Sequence, residues 1–435
     1  MILQNWWFTT LLGIEDPIEP PLVGDRKADV VIIGAGAAGL SSAYALMNSG
    51  VKVVVLERNI CGGSSSGKSA GFLTPDSELE LAQLERRFGN AGAAELWNVA
   101  TRGVEMMAER VREHHIPCDL QVQDSLFLGN GKSGWEAVQD EVRSREALGF
   151  EQEQLDAQAV RSLIGSSAYS GAVRYKGTYG INALLYCQGM KKVLKEHGVV
   201  IHEASEVIGW KEHTVRTHLG SVNADRIIFC ADKLSPQLSL HAENIFHAQT
   251  FLSISEPLGD DAARALFPSE RFQCWDSDLV YSYFRMTGDG RLLLGGGDML
   301  TTFAKNDVNS SRVIDQVISG FKKNFPQLRG LRFIQYWPGR IDTTRDLIPT
   351  VINEERTPWI HFVLGCVGLP WATFCGDLVA RQTTGRSGPM DEKCYHYFRP
   401  DRKFLVPLWL ERIIGKQIVF SLNNGWAKYY QVDVH

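Results

Sequence analysis

The first hundred residues alternate between two hydrophobic patterns. Residues 30–33 are a short apolar run, residues 38–49 are mostly small, and residues 52–56 are a second β-branched run that ends at Glu57. Short β-branched runs are typical of buried strands, and the small-residue segment between them has helical character. The pattern predicts strand, helix and strand, which is the order of a βαβ unit.

Three glycines follow the first predicted strand in G-x-G-x-x-G spacing: Gly34, Gly36 and Gly39. The first allows a tight turn, the second lets a pyrophosphate approach the backbone, and the third allows close helix–sheet packing. The helix N-terminus attracts phosphate, and Glu57 can accept hydrogen bonds from ribose hydroxyls. These features predict a nucleotide-binding unit. A glycine-rich turn in an ordinary α/β domain would explain the glycines but not Glu57, and the unit alone does not separate FAD from NAD.

The rest of the chain has the patterns of further strands and helices. We expect residues 76–165 to be mostly helical, and residues 247–258, 280–286 and 291–294 to be strands. A strand at residues 359–364 followed by Gly365 and a helix to residue 384 repeats the strand–glycine–helix order near the C-terminus. Strands and helices in this arrangement predict an α/β fold.

Composition excludes several classes of protein. The chain has 435 residues, of which 44% are hydrophobic and 22% charged, as in globular proteins, and this length allows two intertwined domains. The net charge of −5, without a long basic block, argues against a nucleic-acid partner. Eight scattered cysteines form no C-x-x-C pair, so we expect no metal site and a reduced, cytoplasmic location. We also expect no transmembrane segment and no signal peptide, because no apolar run is long enough and the N-terminus lacks a basic region.

A Gly- and Ser-rich stretch, residues 61–75, directly follows Glu57 and its neighbours, where it can run along a dinucleotide. Within it, residues 66–71 read S-G-K-S-A-G. This run resembles the S-G-R-N-G-G motif of FAD-dependent oxidoreductases of the D-amino-acid oxidase/glycine oxidase superfamily, in the gamma-glutamylputrescine oxidase-like branch. Lys68 and Ser69 stand where Arg and Asn are usual.

The resemblance implies a Rossmann-like FAD-binding domain and a substrate domain built on a mixed or antiparallel sheet with helices. We expect an N-terminal arm at residues 1–27, the FAD-binding domain at 28–75, 166–240 and 335–390, the substrate domain at 76–165 and 241–334, and a C-terminal tail helix at 391–435. The arm either packs on the body or lies near the substrate entrance. The tail packs on the body, forms a dimer face or touches a membrane surface; the oligomeric state stays open.

The resemblance also implies the FAD contacts. Residues 365–370 resemble the superfamily's C-terminal flavin segment, where a helix N-terminus stabilises the negative charge of the reduced flavin. The expected FAD contacts are Gly34, Gly36, Ala37, Ala38, Gly39, Glu57, Arg58, Ser65, Ser66, Gly67, Lys68, Ala70, Gly71, Val207, Gly365, Val367, Gly368, Leu369 and Pro370. Some relatives attach FAD through a Cys in the segment that matches residues 337–349, which has no Cys here, so we expect non-covalent FAD.

The substrate-site candidates are His247, Tyr283 and Arg340, and no catalytic acid or base is assigned. In glycine oxidase a W-x-G-x-R-x-x-T-x-D segment supplies an Arg that pairs with the substrate carboxylate; aligning Trp337 here puts Ile341 at that position. Arg340, one residue earlier, is then expected on the opposite strand face, as an ion-pair partner of Asp342 or Asp346, unless a bulge turns it towards the flavin.

The function that the resemblance implies is oxidation of a C–N bond in an amine or amino-acid derivative. Hydride passes to flavin N5, the resulting imine is hydrolysed, and oxygen or another acceptor reoxidises the flavin. Three alternatives remain open at this stage: a flavin dehydrogenase that reduces a membrane quinone or a partner protein, a flavin-holding protein without turnover, and an NAD-dependent dehydrogenase.

Overall fold

Two large sheets carry the fold. The computed structural model describes residues 1–13, 18–76, 78–232, 241, 245–302, 308–354, 356–402, 408–415 and 418–419. The helices are α1 (Trp6–Thr9), α2 (Ala37–Leu46), α3 (Leu81–Glu113), α4 (Gly131–Leu148), α5 (Ala157–Ile164), α6 (Ala183–Glu196), α7 (Asp260–Leu266), α8 (Met299–Thr302), α9 (Ser311–Asn324), α10 (Leu369–Thr383), α11 (Pro389–Tyr395) and α12 (Leu408–Ile414). The strands are β1 (Ile2–Leu3), β2 (Gly24–Ile33), β3 (Val53–Leu56), β4 (Phe72–Leu73), β5 (Gln121–Val122), β6 (Asp124–Gly129), β7 (Glu153–Asp156), β8 (Gly171–Tyr175), β9 (Tyr179–Gly180), β10 (Val200–His202), β11 (Val207–Lys211), β12 (Thr214–Thr217), β13 (Gly220–Phe229), β14 (Phe246–Pro257), β15 (Phe272–Asp276), β16 (Tyr283–Met286), β17 (Arg291–Gly296), β18 (Phe333–Thr343), β19 (Thr350–Asn353) and β20 (Ile360–Leu364).

The first sheet has eight strands and contains the predicted βαβ unit. Its order is β10-β3-β2-β13-β12-β11, with β20 beside β13 and β19 beside β20, and β10, β3, β2, β13 and β20 pair in parallel. The residues of β2 that precede the glycines are buried on both faces, because α2 and α10 cover one side and a second apolar cluster covers the other. A continuous apolar run is the expected sequence of such a strand.

The second sheet has nine strands in the order β1-β18-β14-β17-β16-β15-β6-β8-β7. Most neighbours are antiparallel, while β15 with β6 and β1 with β18 are parallel. The mixed sheet predicted for the substrate domain is therefore confirmed. One of its faces packs on α7 and α9, and the other turns towards the first sheet and its helices. A small three-stranded sheet, β4-β9-β5, completes the fold.

Three segment assignments differ from the sequence-based ones. Strand β8 falls in the predicted FAD-binding range 166–240, but it pairs with β6 and β7 of the nine-stranded sheet. Strand β18 lies almost entirely in the predicted range 335–390, but it pairs with β14 of the same sheet. Strand β2 begins at Gly24, inside the predicted arm of residues 1–27. A hydrophobic pattern gives the period of a strand but not the neighbouring strand that its backbone groups pair with. The segment boundaries in the structure therefore differ from those predicted from the sequence.

The C-terminal tail is anchored by a buried ion pair. The Arg402 guanidinium donates to both carboxylate oxygens of Asp346, at 2.8 and 3.0 Å. In place of the single tail helix predicted for residues 391–435, the described part holds α11, a short 3-10 turn and α12; residues 403–407, 416–417 and 420–435 lie outside the described residues. In the portion of the chain that the structure describes, no helix is both long and apolar enough to cross a membrane.

Helices α2 and α10 cross so closely that their backbones are in contact. A Cβ added to Gly376 in α10 would lie 2.1 Å from the carbonyl oxygen of Ala38 in α2. Because Ala38 is in the first turn of α2, this crossing also sets the distance between the N-termini of the two helices.

We expect Gly376→Ala to lower the thermal unfolding midpoint, because backbone of the βαβ unit must move to admit the methyl group. Overpacking of this kind costs about 1–3 kcal/mol. The matched control is Gly320→Ala in α9, where an added Cβ meets nothing within 4 Å. Alanine there should raise the midpoint slightly, since it is the better helix former. Equal midpoints for the two variants would contradict the packing argument.

Candidate active site

The turn between β2 and α2 requires glycine at two positions. Gly34 has a φ of +97°, and a Cβ there would lie 2.6 Å from the Cys230 carbonyl oxygen. A Cβ at Gly39 would lie 1.8 Å from the Gly34 carbonyl oxygen. Helix α2 therefore begins directly at the carboxyl edge of the eight-stranded sheet. Its first N–H groups and the positive end of its dipole lie at that edge.

Gly36 and Ser66 meet at the first turn of α2. Gly36 is the N-cap residue and has no side chain with which to cap the helix. The Ser66 hydroxyl oxygen accepts a hydrogen bond from the Ala37 N–H at 3.0 Å, and a Cβ at Gly36 would lie 3.1 Å from that oxygen. The uncapped N-terminus of α2 and the small residues around it form a cradle for a phosphate group. A larger side chain at position 36 would fill this space.

Glu57 lies beside this turn. Its side chain is only 7% exposed and accepts hydrogen bonds from the backbone N–H groups of Ala35 and Asn59, both at 2.9 Å. Burial raises the pKa of the Glu57 carboxyl, and the two backbone donors oppose that rise. A carboxylate oxygen can accept more than one hydrogen bond, so acceptor capacity remains for ribose hydroxyls.

The other residues predicted on the ribose and adenine side also lie near Glu57. The Ser205 N–H donates to the Glu57 carbonyl oxygen at 2.7 Å, which brings the start of β11 to this position. Val207 is buried there, and Arg58 is exposed. The structure thus brings together the predicted residues from β3 and β11, which are far apart in sequence.

Side chains from other parts of the chain hold residues 65–71 in place. We call this segment the 65–71 loop. Four successive carbonyl groups of the loop each accept a hydrogen bond. The pairs are Asn5 Nδ2 with Gly67 O at 2.9 Å, Trp337 Nε1 with Lys68 O at 3.0 Å, Trp7 Nε1 with Ser69 O at 2.9 Å and Arg285 Nε with Ala70 O at 2.8 Å. The donors come from the N-terminal arm and from the nine-stranded sheet, so both fix the path of the loop.

The segment before α10 is shaped by two glycines in left-handed conformations, Gly365 at φ +65° and Gly368 at φ +87°. A Cβ at Gly365 would lie 2.6 Å from Thr344 Cγ2, so this turn packs against the end of β18. The Gly365 N–H donates to Asp232 Oδ1 at 2.8 Å. The Asp232 carboxylate therefore holds the turn that precedes α10.

The N-terminus of α10 lies near the N-terminus of α2. At 1.5 Å per residue, the start of α10 lies about 10 Å along the helix from the crossing point at Gly376. Val367 and Leu369 are buried at that start, next to Pro370. The open end of α2, the acceptor Glu57 and the second helix N-terminus match the phosphates, ribose and electron-accepting ring of FAD. The residues present therefore fit the cofactor that the sequence predicted.

Strand β18 presents Ile341, and not Arg340, towards the 65–71 loop. Trp337 reaches Lys68 of the loop, and side chains two residues apart on a strand share a face. The register with β14 is continuous from residue 335 to residue 343, so no bulge reverses this alternation. Arg340 lies on the other face, with its Nε 3.6 Å from Asp342 Oδ1. The sequence left open whether Arg340 forms an ion pair or is turned towards the flavin by a bulge. The structure shows the ion pair with Asp342.

The two remaining substrate-site candidates lie on opposite faces. His247 stands opposite Asp342 in the register and so shares the face of Arg340. Tyr283 stands opposite Gly295, and the strand register places both on the Trp337 face. A Cβ at Gly295 would lie 2.3 Å from the Tyr283 ring, so glycine there allows the ring to lie flat on β17.

Tyr283 belongs to a group of three rings, Phe72, Tyr283 and Tyr281, which we call the aromatic row. Ring centroids are 5.9 Å apart for Phe72 and Tyr283 and 5.6 Å apart for Tyr281 and Tyr283. The Tyr283 hydroxyl lies 3.3 Å from Thr250 Oγ1, and the Tyr281 hydroxyl donates to Glu78 Oε1 at 3.0 Å. Burial raises the pKa of Glu78 to about 7 and that of Tyr283 to about 12. Both groups thus take up protons more readily than usual.

Sequence reasoning missed most of the residues that support the site. It left open whether the N-terminal arm packs on the body or lies near the substrate entrance, and it did not connect Asn5, Arg285 or Glu78 with the site. The aromatic pair Trp6-Trp7 in the arm was an available signal, but the contacts themselves join residues distant in sequence. Among the described residues, no group of three or more His, Cys, Asp or Glu side chains is arranged to hold a metal ion.

Comparison with protein families finds a match to the model described as "DAO: FAD dependent oxidoreductase" over residues 29–382. Among curated proteins, the gamma-glutamylputrescine oxidoreductase of Escherichia coli (strain K12) is 30% identical over 374 residues, which cover 83% of this chain and 85% of the relative. The probable oxidoreductase OrdL of Haemophilus influenzae is 28% identical over 363 residues, 80% of each chain.

Solved structures share the fold. Glycine oxidase from Geobacillus kaustophilus superposes with a TM-score of 0.73 at 16% identity, covering 85% of this chain and 98% of its own. L-proline dehydrogenase from P. horikoshii also has a TM-score of 0.73 at 16% identity and covers 90% of this chain and all of its own, 100%. At these identities the likeness concerns the fold alone.

We expect Glu57→Arg to reduce the FAD bound per protein by about tenfold or more, because it removes charge-assisted acceptors and adds a buried cation. Glu57→Gln keeps one acceptor and should lose less. Flavin absorbance relative to protein, with circular dichroism as a check of folding, measures both. Glu196→Arg, at an exposed position of α6, is the charge-matched control. Full flavin content in folded Glu57→Arg would remove Glu57 from the site.

Proposed function

The chain belongs to the FAD dependent oxidoreductase family of the D-amino-acid oxidase type, and on that premise we propose that it oxidises a C–N bond of a small amine that is not anchored through a carboxylate. Membership confirms the resemblance seen in the sequence and assigns FAD rather than NAD as the cofactor. Bound FAD supplies a two-electron acceptor that takes hydride from carbon. The protein is thus an enzyme, and its residues must select and orient the amine.

The observation that carries the proposal is the side chain at position 341. An arginine that faces the site would offer a carboxylate two parallel charge-assisted hydrogen bonds. Ile341 occupies the face that Trp337 and Tyr283 share, and Arg340 points to the other face beside Asp342. Arg285 is on the Tyr283 face, but it donates to the carbonyl oxygens of three residues: Ala70, Ile181 and Met286. A pocket wall of this composition favours an amine over an α-amino acid.

The similarity to the Escherichia coli relative supports the same substrate class, since its name specifies gamma-glutamylputrescine, an amine derivative. In the proposed reaction the carbon next to nitrogen loses hydride, the imine product is hydrolysed by water, and oxygen or another acceptor restores the oxidised cofactor. The chain's contribution is to hold the amine between the 65–71 loop and the aromatic row. The N-terminus of α10 provides positive potential for the negative charge that the transfer creates.

The tail favours a second candidate, a dehydrogenase that passes electrons to a membrane quinone. Trp409, Ile413 and Ile418 are exposed by 63%, 72% and 56%. Apolar side chains of this size near basic residues can rest in a membrane interface. Oxygen consumption with substrate and no added acceptor supports an oxidase, whereas reduction of a quinone analogue without oxygen uptake supports the dehydrogenase.

We expect putrescine derivatives to bleach the flavin under anaerobic conditions faster than glycine, D-alanine or sarcosine. Arg340→Ala should change these rates by no more than about twofold, because Arg340 lies on the far face. Arg332→Ala, at an exposed arginine of the neighbouring turn, is the matched control. Stopped-flow absorbance gives the rates. Rapid bleaching by the small amino acids that disappears in Arg340→Ala would make Arg340 the carboxylate anchor and overturn the proposal.

We expect FAD to be bound without a covalent bond. No cysteine occurs between residues 337 and 349, and a hydrogen bond with Cys375, together with burial, holds the pKa of the Cys366 thiol well above its usual value. A protonated thiol is a poor nucleophile. Acid precipitation should therefore release the yellow colour into the supernatant; a yellow pellet would show covalent attachment.

A further inference from the structure

Resting on the proposed function, we propose that Glu78 binds a second ammonium group of the substrate and that the aromatic row holds the apolar chain between this group and the reacting amine. The substrate class is then a linear amine with two positive groups separated by methylene groups. Nothing in the family match or in the resemblance places a substrate contact at Glu78.

The geometry provides one continuous path. Phe72 directly follows Gly71, the last residue of the 65–71 loop, so the row begins beside the loop. Tyr283 and Tyr281 continue it at centroid distances of 5.9 and 5.6 Å, and the Tyr281 hydroxyl ends it at Glu78, 3.0 Å away. All three rings are partly exposed, so solutes can reach them. Aromatic rings bind both methylene groups and ammonium cations.

The Glu78 carboxyl is a candidate partner for a cation. Within the described parts of the chain, the Glu78 carboxylate forms no ion pair, and its hydrogen-bond donor is the neutral hydroxyl of Tyr281. A carboxylate that is largely removed from water and has no positive partner is destabilised, and an ammonium group at hydrogen-bond distance offsets that cost. Tyr281 fixes the carboxylate at the end of the row, where an extended diamine would place its second charge.

Three further carboxyl groups lie near the end of the row. Asp76 and Glu80 lie on the same segment, and Glu141 of α4 lies behind them, fully buried. Burial and the nearby carboxylates raise the pKa of Asp76 well above its usual value. Arg145 Nη1 is 3.8 Å from Glu141 and compensates that residue. A cation bound at the end of the row would favour the ionised form of these carboxyl groups, whereas a carboxylate would gain nothing from them, which matches the absence of an arginine at position 341.

The test compares putrescine with n-butylamine, which has the same four-carbon chain but a single ammonium group. Both are mixed anaerobically with the FAD-loaded protein, and binding is measured by titration calorimetry and by the change in flavin absorbance. We expect wild type to prefer putrescine by about tenfold or more, the effect of one charge-assisted hydrogen bond. Glu78→Gln should abolish the preference and leave the affinity for n-butylamine within about twofold.

The control is Glu105→Gln, at an exposed glutamate of α3, which should keep the preference. If Glu78→Gln does not retain FAD and native melting behaviour, Tyr281→Phe replaces it. Loss of the hydroxyl leaves the carboxylate unoriented, and the preference should fall by about threefold. A wild type that binds both amines equally, or a variant that weakens both equally, overturns the inference.

The two proposals fail in different ways. Binding is measured without turnover, so a wild type whose preference for putrescine depends on Glu78, but whose flavin no amine bleaches, contradicts the proposed function and supports this inference. A protein whose flavin both amines bleach, with no preference in binding, supports the proposed function and overturns the role of Glu78.

Discussion

Hydrogen bonds to the carbonyl groups of the 65–71 loop are the interaction on which the rest of the site depends. The loop leaves the eight-stranded sheet, but its donors, Asn5, Trp7, Trp337 and Arg285, belong to the arm and the nine-stranded sheet. A buried carbonyl group that loses its donor costs about 1–3 kcal/mol. Because the loop needs donors from both sides, it takes this path only when arm and sheet are in place. The loop thus couples the eight-stranded sheet to the arm and the nine-stranded sheet.

Arg285 shows how this coupling is achieved without a counter-ion at contact distance among the described residues. Its guanidinium is fully buried and donates to the carbonyl oxygens of Ala70, Ile181 and Met286. Burial lowers its pKa to about 10, which still leaves the group charged near neutral pH. Charge-assisted hydrogen bonds to carbonyl groups are stronger than neutral ones, so they offset part of the desolvation cost. These three bonds use all three nitrogens of Arg285 and fix its guanidinium against the backbone, so it does not replace the missing carboxylate anchor.

The alternation of side chains along a strand decides which face of the sheet each charged residue near the site occupies. On β18 a step of one residue separates Ile341, on the face towards the loop, from Arg340, which lies beside Asp342. The aromatic row ends at an acidic segment, where burial and nearby carboxylates raise the pKa of Asp76, so its carboxyl groups ionise most readily when a cation lies beside them. In our proposal, electrostatic complementarity of this kind would select among amines by the number and spacing of their charges.

By itself the sequence determined the parts of the protein whose geometry is local. Gly34, Gly36, Gly39 and Glu57 lie within one βαβ unit, where spacing along the chain sets the turn, the helix start and the acceptor, and the strand–glycine–helix order at Gly365 is equally local. The tertiary structure alone decided which sheet receives β8 and β18, which donors hold the 65–71 loop, and that Asp232 supports the turn at Gly365. It also brought Glu78 to Tyr281, 203 positions away. The reason is physical: periodicity specifies the face and period of a strand or helix, whereas the partner of each polar group depends on how separately formed elements pack together.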